Sequence, residues 1–218
     1  MSTKLRLYYW PGACSLASHI ALEEAGADFE AVRVNLAANE QRSPDYLRIN
    51  PKGRVPALID GDFVVTENPA ILRYITRRFP EAGLWPAEIG ADARCAEWLA
   101  WISSGIHVMY SHTTRPERYV DRDIALDWVR EKGAAQTREN WLAIEDRLEL
   151  DGWILDRLSV VDAYLVTVWN WARKAPFGLD MERDLPKWLA HARRMGERPA
   201  VRRAYEREGL PLPGVLIR

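Results

Sequence analysis

The chain has 218 residues, of which 48% are hydrophobic and 28% are charged, the balance of an ordinary globular protein rather than a disordered one. Its 30 basic and 31 acidic residues give a formal charge of −1, so the composition indicates neither nucleic acid nor an anionic membrane as a partner. No segment approaches the ~20 consecutive apolar residues of a membrane-spanning helix. The N-terminal residues also lack the pattern of a signal peptide, and we expect no membrane association.

The cysteines and histidines indicate a reducing compartment and no metal site. Cys14 and Cys95 lie far apart in the sequence and do not form a disulfide framework, which favours the cytoplasm, where a free thiol survives. No glycine-rich phosphate loop is present. The histidines are scattered, without a thiolate or carboxylate at ligand spacing; they are His19, His107, His112 and His191.

Residues 1–80 alternate between strand and helix signals. Strands are indicated by alternating β-forming residues, and helices by apolar residues at helical spacing that end at glycine, asparagine or proline. In chain order, the predicted elements are a strand over 5–9, a helix over 15–25, a strand over 29–36, a short helix over 43–50, strands over 57–59 and 63–65 joined at Asp60-Gly61, and a helix over 67–79. The order βαβαββα predicts a mixed sheet in an α/β thioredoxin-like N-terminal domain.

Beyond Pro80 the pattern changes, and we predict a linker over 81–90 followed by an all-α helical C-terminal domain over 91–218. Helical patterns run over about 91–112, 122–150, 160–174 and 185–208, and no convincing strand is found. Nine of the ten tryptophans lie from Trp85 onward. Helix packing explains them most simply, and an apolar ligand groove is the alternative.

The segment from Trp10 to Ser15 places Cys14 between the first strand and the first helix. A helix N-terminus presents unpaired N–H groups and partial positive charge, which stabilise a thiolate and lower a cysteine pKa. There is no second cysteine of a Cys-x-x-Cys motif, and Ser15 is positioned to donate a hydrogen bond to sulfur. A small residue that only fills a turn is the alternative.

Two further segments complete a candidate peptide site. Pro56 stands at the entrance of the third strand, where a cis bond would expose the backbone of Val55 to an extended peptide, although an ordinary trans turn is also open. Glu67 and Asn68 begin the third helix, where backbone amides bind anions and Glu67 can hold an amine; simple capping by Asn68 is the alternative. Together these segments indicate a pocket for a thiol peptide with an α-amino-carboxylate end.

At these residues the chain resembles the glutathione transferase superfamily, and within it the bacterial beta class. The resemblance extends over nearly the whole chain. It is strongest over Tyr9–Ile20 and Asn50–Leu58, and it is supported by Glu97-Trp98-Leu99 and Ser159–Ala163.

The resemblance implies glutathione as co-substrate, Cys14 as the active-site cysteine, and Ser15 and His107 as its catalytic neighbours. It implies a cis bond before Pro56 and pairing of Val55 with the cysteinyl backbone of glutathione. The full set of residues expected to hold glutathione is Ala13, Cys14, Lys52, Arg54, Val55, Pro56, Glu67, Asn68 and His107.

The resemblance also implies a cytoplasmic homodimer with a detoxification role, which conjugates glutathione to a small hydrophobic electrophile. An apolar wall for that electrophile is expected from Trp101, Ile102, Met109 and Trp169. A glutathione-dependent thiol-disulfide oxidoreductase, acting through a Cys14 mixed disulfide, is one alternative. A non-catalytic binding protein is the other, kept open by Asn68, where the family usually has serine, and by Val108, where it has a basic residue. Arg54 also departs from the family pattern, which commonly has glutamine there.

Overall fold

A computed structural model describes residues 4–216 of the chain. The first half has the predicted order of elements and confirms the thioredoxin-like arrangement. The elements are β1 (Leu5–Tyr9), α1 (Ser15–Glu24), β2 (Phe29–Arg33), α2 (Pro44–Ile49), β3 (Ala57–Asp60), β4 (Phe63–Thr66) and α3 (Asn68–Arg78).

The four strands form one mixed sheet in the order β2-β1-β3-β4. Strand β1 pairs parallel with β2 and antiparallel with β3, which pairs antiparallel with β4. Leu5, Leu7 and Tyr9 alternate with more exposed residues along β1 and enter the core, as the period of a strand requires. The first turn of α1 therefore starts directly beyond the end of a central strand.

The second half is helical. Its elements are α4 (Ile89–Trp101), a π-helical turn (Ile102–Ile106), α5 (His107–Thr114), α6 (Asp123–Arg147), α7 (Val160–Ala172), α8 (Pro186–Glu197) and α9 (Pro199–Glu208). The predicted helix over 185–208 is in fact two helices, because Arg198 is extended and Pro199 provides no N–H to continue the ladder. None of the helices in residues 4–216 combines the length and apolar character needed to cross a membrane.

Helix α1 connects the two halves of the molecule. Every residue from Ser15 to Glu23 is buried, because α1 lies between the sheet of the first half and helices α7 and α9 of the second. A helix enclosed in this way buries polar groups, and Ser18 and His19 are both 0% exposed. Each of them must therefore find a partner inside the protein.

The tryptophans of the helical half are mainly core residues. Trp141, Trp169 and Trp188 are fully buried, and their rings meet edge to face at centroid distances of 5.5 and 5.3 Å. The expectation that Trp169 and Ile102 form a ligand wall is wrong, because both are 0% exposed. Of the four predicted wall residues, Trp101 and Met109 are partly exposed.

Candidate active site

Cys14 is the residue that caps the start of α1 and is half-buried. The turn before it is closed by a hydrogen bond of 3.0 Å from the Ala13 N–H to the Trp10 carbonyl. The Cys14 Sγ donates to the carbonyl of Val55 at 3.5 Å. The structure thus places the thiol at the predicted junction of strand and helix, facing the segment that contains Pro56.

The surroundings of Cys14 keep its thiol protonated. Burial raises the pKa of Cys14 to about 12, and the charge of Glu67 acts in the same direction. The backbone amides at the start of α1 and the guanidinium of Arg115 act in the opposite direction. The expected lowering of the cysteine pKa is therefore wrong for the chain by itself, because desolvation outweighs the helix start.

Ser15 does not face the sulfur. Its side chain is 0% exposed, and its hydroxyl donates to the Trp10 carbonyl at 3.3 Å while accepting from the Trp10 N–H at 3.2 Å. The predicted hydrogen bond from Ser15 to the Cys14 sulfur is wrong, because both contacts of the Ser15 hydroxyl stabilise the turn before α1 instead. The structure gives Ser15 a structural role.

The peptide bond between Val55 and Pro56 is cis. The backbone before it is fixed by two donors, because the Tyr46 hydroxyl and the Asn50 side-chain amide both reach the Arg54 carbonyl, at 2.8 and 2.6 Å. The Arg54 side chain itself is exposed. The segment that faces Cys14 is therefore held by the protein core, while the Arg54 guanidinium stays at the surface.

Lys52 and Glu67 contact each other across the candidate site. The Lys52 ammonium donates to the Glu67 carboxylate at 2.5 Å and to the Thr66 hydroxyl at 2.7 Å. Glu67 has a φ of +71°, a strained value for a residue other than glycine, of the kind that clusters at functional sites. The carboxylate predicted to hold a ligand amine is thus already paired with an amine of the chain.

Asn68, the first residue of α3, turns its side chain into the protein. The residue is 4% exposed, its amide nitrogen donates to the Cys14 carbonyl at 2.6 Å, and its amide oxygen accepts from the Ser18 hydroxyl at 2.6 Å. In this orientation both ends of the side-chain amide are occupied by groups of the chain itself. What α3 offers at its start is the set of backbone N–H groups that lack an intrahelical partner.

His107 reaches the site from the helical half. It directly follows the π-helical turn, a feature that often accompanies functional sites, and its ring centroid lies 4.7 Å from that of Trp171. The Trp171 indole N–H donates to the Gly12 carbonyl at 3.0 Å, which ties this stack to the turn before Cys14. Burial lowers the pKa of His107 to about 4, so its imidazole is neutral near pH 7.

Two arginines of the site were not predicted from the sequence. Arg115 and Arg118 lie in the turn after α5, and together with Arg54 their charges further lower the pKa of His107. Arg115 also acts on the Cys14 thiol. Val108 was expected to leave the pocket short of one cation, yet Arg115 supplies positive charge from a position that no local motif marks.

A buried pair behind the turn was also missed. One Glu208 carboxylate oxygen accepts from the Gly12 N–H at 2.8 Å, and the other lies 2.9 Å from the His19 ring Nδ1. Both side chains are 0% exposed. Gly12 has a φ of +70°, a conformation that glycine adopts without strain. Helix α9 thereby fixes the turn that leads into Cys14.

The fold and the site define a class of protein: a thioredoxin-like domain with a thiol at its first helix and a cis-proline opposite, completed by a helical domain. Comparison with known proteins narrows this class. The family model described as "Glutathione S-transferase, N-terminal domain" matches residues 3–77.

Whole-chain relatives agree with that match. The glutathione S-transferase GstA of Escherichia coli O157:H7 is 35% identical over 210 residues, which cover 94% of this chain and 100% of that protein. A solved glutathione transferase homolog from Sulfitobacter, with bound glutathione, superposes with a TM-score of 0.87 at 33% identity over 95% of this chain and 99% of its own. A beta class enzyme from Sphingomonas chungbukensis does so with a TM-score of 0.80 at 34% identity, over 94% and 100%. The chain belongs to the glutathione S-transferase family.

Proposed function

We propose that the chain is a glutathione transferase that joins the glutathione sulfur to a small apolar electrophile. The observation that carries the proposal is the Cys14 thiol at the start of α1, 3.5 Å from the Val55 carbonyl and next to the cis bond before Pro56. Glutathione is the co-substrate, in agreement with the glutathione bound in the similar Sulfitobacter structure. A role in detoxification and a cytoplasmic location belong to the same proposal.

In this proposal glutathione extends along the Val55 backbone, its γ-glutamyl carboxylate meets the free N–H groups at the start of α3, and its amine takes the place of Lys52 on Glu67. The proposed partner of the glycine carboxylate is Arg54, which is exposed and free to reach a ligand at the surface. These contacts supply one partner for each charged group of the tripeptide.

The protonated Cys14 thiol acts as a hydrogen-bond donor in the proposed reaction. It donates to the glutathione sulfur, which loses its own proton to solvent and attacks the electrophile as a thiolate. A carbon–sulfur bond forms while the leaving group departs with the electron pair of the bond that breaks. The backbone amides at the start of α1 and the charge of Arg115 stabilise a negative charge at this point, since both act to lower the pKa of Cys14. In the proposed reaction they stabilise the thiolate of glutathione in the same way.

Replacement of Cys14 by alanine separates conjugation from disulfide chemistry. We expect Cys14→Ala to keep conjugating glutathione to a chlorodinitrobenzene, with a kcat/KM reduced by about 10- to 100-fold, the value of a hydrogen bond to a charged group. The parent and Cys14→Ser serve as references. Loss of all turnover, with a trapped Cys14–glutathione disulfide in the parent, would instead support the oxidoreductase alternative.

Binding of glutathione tests the non-catalytic alternative. A transferase with this site should be protected from heat by millimolar glutathione, since a ligand that binds the folded state raises its stability. No protection, together with no retention on immobilised glutathione, would favour a protein that keeps the fold without the activity.

We also propose that the chain forms a homodimer that pairs the first domain of one copy with the helical domain of the other. Phe63 and Val64, on the edge strand β4, are 51% and 41% exposed. A groove of about 470 Å³ runs between α3 and α4, and it is lined by Pro69, Arg73, Trp85, Asp92, Ala96, Leu99, Ala100 and Ser103. Apolar surface on both domains is what such a pairing would cover.

A further inference from the structure

The Asn68 side chain joins α3 to the first turn of α1. Its amide nitrogen donates to the Cys14 carbonyl at 2.6 Å, and its amide oxygen accepts from the Ser18 hydroxyl at 2.6 Å. Asn68 is 4% exposed and Ser18 is 0% exposed, so water does not compete for either contact. Cys14 and Ser18 lie about one helical turn apart, and a single amide therefore holds both ends of that turn.

The bridge requires an amide. Asparagine ends in a donor and an acceptor that are separate atoms, whereas serine has one hydroxyl oxygen on a stem that is one atom shorter. A serine at position 68, the residue that the family pattern leads one to expect, cannot span the Cys14 carbonyl and the Ser18 hydroxyl together. The link is therefore a property of this chain's own residue.

Holding the carbonyl of Cys14 also limits where its sulfur lies, because both belong to one residue. The Sγ contact with the Val55 carbonyl at 3.5 Å depends on the placement of that backbone. So do the interactions with the amides of Cys14 and Ser15, which favour the thiolate and oppose the rise in the pKa of the thiol. A shift of the first turn of α1 would weaken all of these contacts at once.

We infer that Asn68 is a positioning residue for Cys14, an inference that rests on the proposed function. The Asn68 amide fixes the first turn of α1. Its side chain is not a ligand for the γ-glutamyl carboxylate. That carboxylate is instead held by backbone N–H groups at the start of α3. In this arrangement the Asn68 side chain contacts the residue that carries the thiol rather than the ligand.

The test compares Asn68→Ala and Asn68→Ser with a matched control, Asn170→Ala. Asn170 is 2% exposed, lies in α7, and donates from its amide to the Tyr205 hydroxyl at 2.7 Å. For each variant we would measure the rate of Cys14 alkylation by iodoacetamide from pH 8 to 10 without glutathione, by mass spectrometry of the Cys14 peptide. KM for glutathione, kcat and Tm complete the set.

We expect alkylation of Cys14 and kcat to fall about three- to tenfold in both Asn68 variants, the effect of one lost hydrogen bond on the placement of the thiol. KM for glutathione should change by less than about twofold in both, since the side chain does not contact the ligand. Asn170→Ala should lower Tm comparably while its alkylation rate stays at the parent value.

Two results would overturn the inference. One is a KM for glutathione that rises fivefold or more in Asn68→Ala but stays at the parent value in Asn68→Ser, while Cys14 alkylation is unchanged in both. That result would mean that the side chain binds the ligand carboxylate, because a serine hydroxyl can replace an amide in that contact. The other is an equal loss of alkylation in Asn170→Ala, which would indicate a general loss of stability. Alkylation needs no glutathione, so a parent protein that fails to bind glutathione contradicts the proposed function without removing this test.

Discussion

The protonation states of single residues decide what the site can do. Burial favours the neutral forms of both the Cys14 thiol and the His107 imidazole. For Cys14, burial outweighs the opposing effect of the helix start. For His107, the charges of three arginines act in the same direction as burial. A neutral thiol donates a hydrogen bond and a neutral imidazole avoids repulsion from Arg115. Positive charge at the site therefore comes from its arginines and not from His107.

The acid sensitivity of the fold should depend on His107. The unfolded chain protonates this histidine near pH 6.5, and the folded chain near pH 4. Between these values the unfolded state binds more protons, so stability that is fully present above pH 6.5 is lost as the pH falls toward 4. Replacement by glutamine removes this loss.

We therefore expect the decrease in Tm from pH 7.5 to pH 4.5 to be smaller in His107→Gln than in the parent, by about 3–6 °C. Differential scanning calorimetry at the two pH values measures this decrease. His112→Gln, a substitution in the same helix, is the control. An equal change in both variants would contradict the assignment to His107.

At the scale of elements, three helices converge on the turn before Cys14. Helix α9 supplies Glu208 to the Gly12 N–H, α7 supplies Trp171 to the Gly12 carbonyl, and α3 supplies Asn68 to the Cys14 carbonyl. The π-helical turn before α5 then sets the direction of His107. A turn that contains glycine is thereby given a single conformation by elements distant in sequence.

Loss of Glu208 should destabilise the protein strongly. Glu208→Ala leaves the Gly12 N–H and the buried His19 ring without their hydrogen-bond partner, at about 1–3 kcal/mol for each unsatisfied group and about 3–5 kcal/mol together. For a chain of this size that loss corresponds to a fall in Tm of roughly 6–20 °C. Thermal unfolding followed by tryptophan fluorescence measures it.

Glu206 is the matched control for Glu208, because it lies in the same helix and is exposed. Glu206→Ala should change the free energy of unfolding by less than about 0.5 kcal/mol. Similar shifts in both variants would show that the buried pair contributes nothing beyond the helix itself.

The whole molecule presents apolar surface on its first domain that the monomer leaves uncovered. If Phe63 and Val64 lie in the proposed dimer interface, replacing both by glutamate introduces like charges that are costly to bury. We expect the parent to have twice the chain mass of 25.0 kDa in light scattering at micromolar concentration, and the double variant to have the mass of one chain.

Ile124→Glu provides the control for this experiment. Ile124 is 75% exposed in α6, a helix that contributes no residue to the groove between α3 and α4, and its substitution should leave the dimer intact. A parent protein with the mass of one chain would contradict the homodimer, and dissociation by Ile124→Glu alone would place the interface elsewhere.

The sequence by itself determined the order of elements and the location of the thiol. Alternation in Leu5–Tyr9, the Asp60-Gly61 hairpin and the glycine after α1 are local signals, and local backbone preferences carry them. The family pattern around Cys14 and Pro56 added the expectation of a cis bond, which the structure has. The break at Arg198-Pro199 was missed because apolar spacing continued across it.

Only the tertiary structure decided the electrostatics and the hydrogen-bond partners of the site. Glu208 contacts a residue 196 positions away in sequence, and Arg115 influences Cys14 across the two domains. The raised pKa of Cys14 follows from burial, which outweighs the helix start that the sequence reveals. Partners and desolvation are set by neighbours in space, and a linear pattern contains neither until the chain has folded.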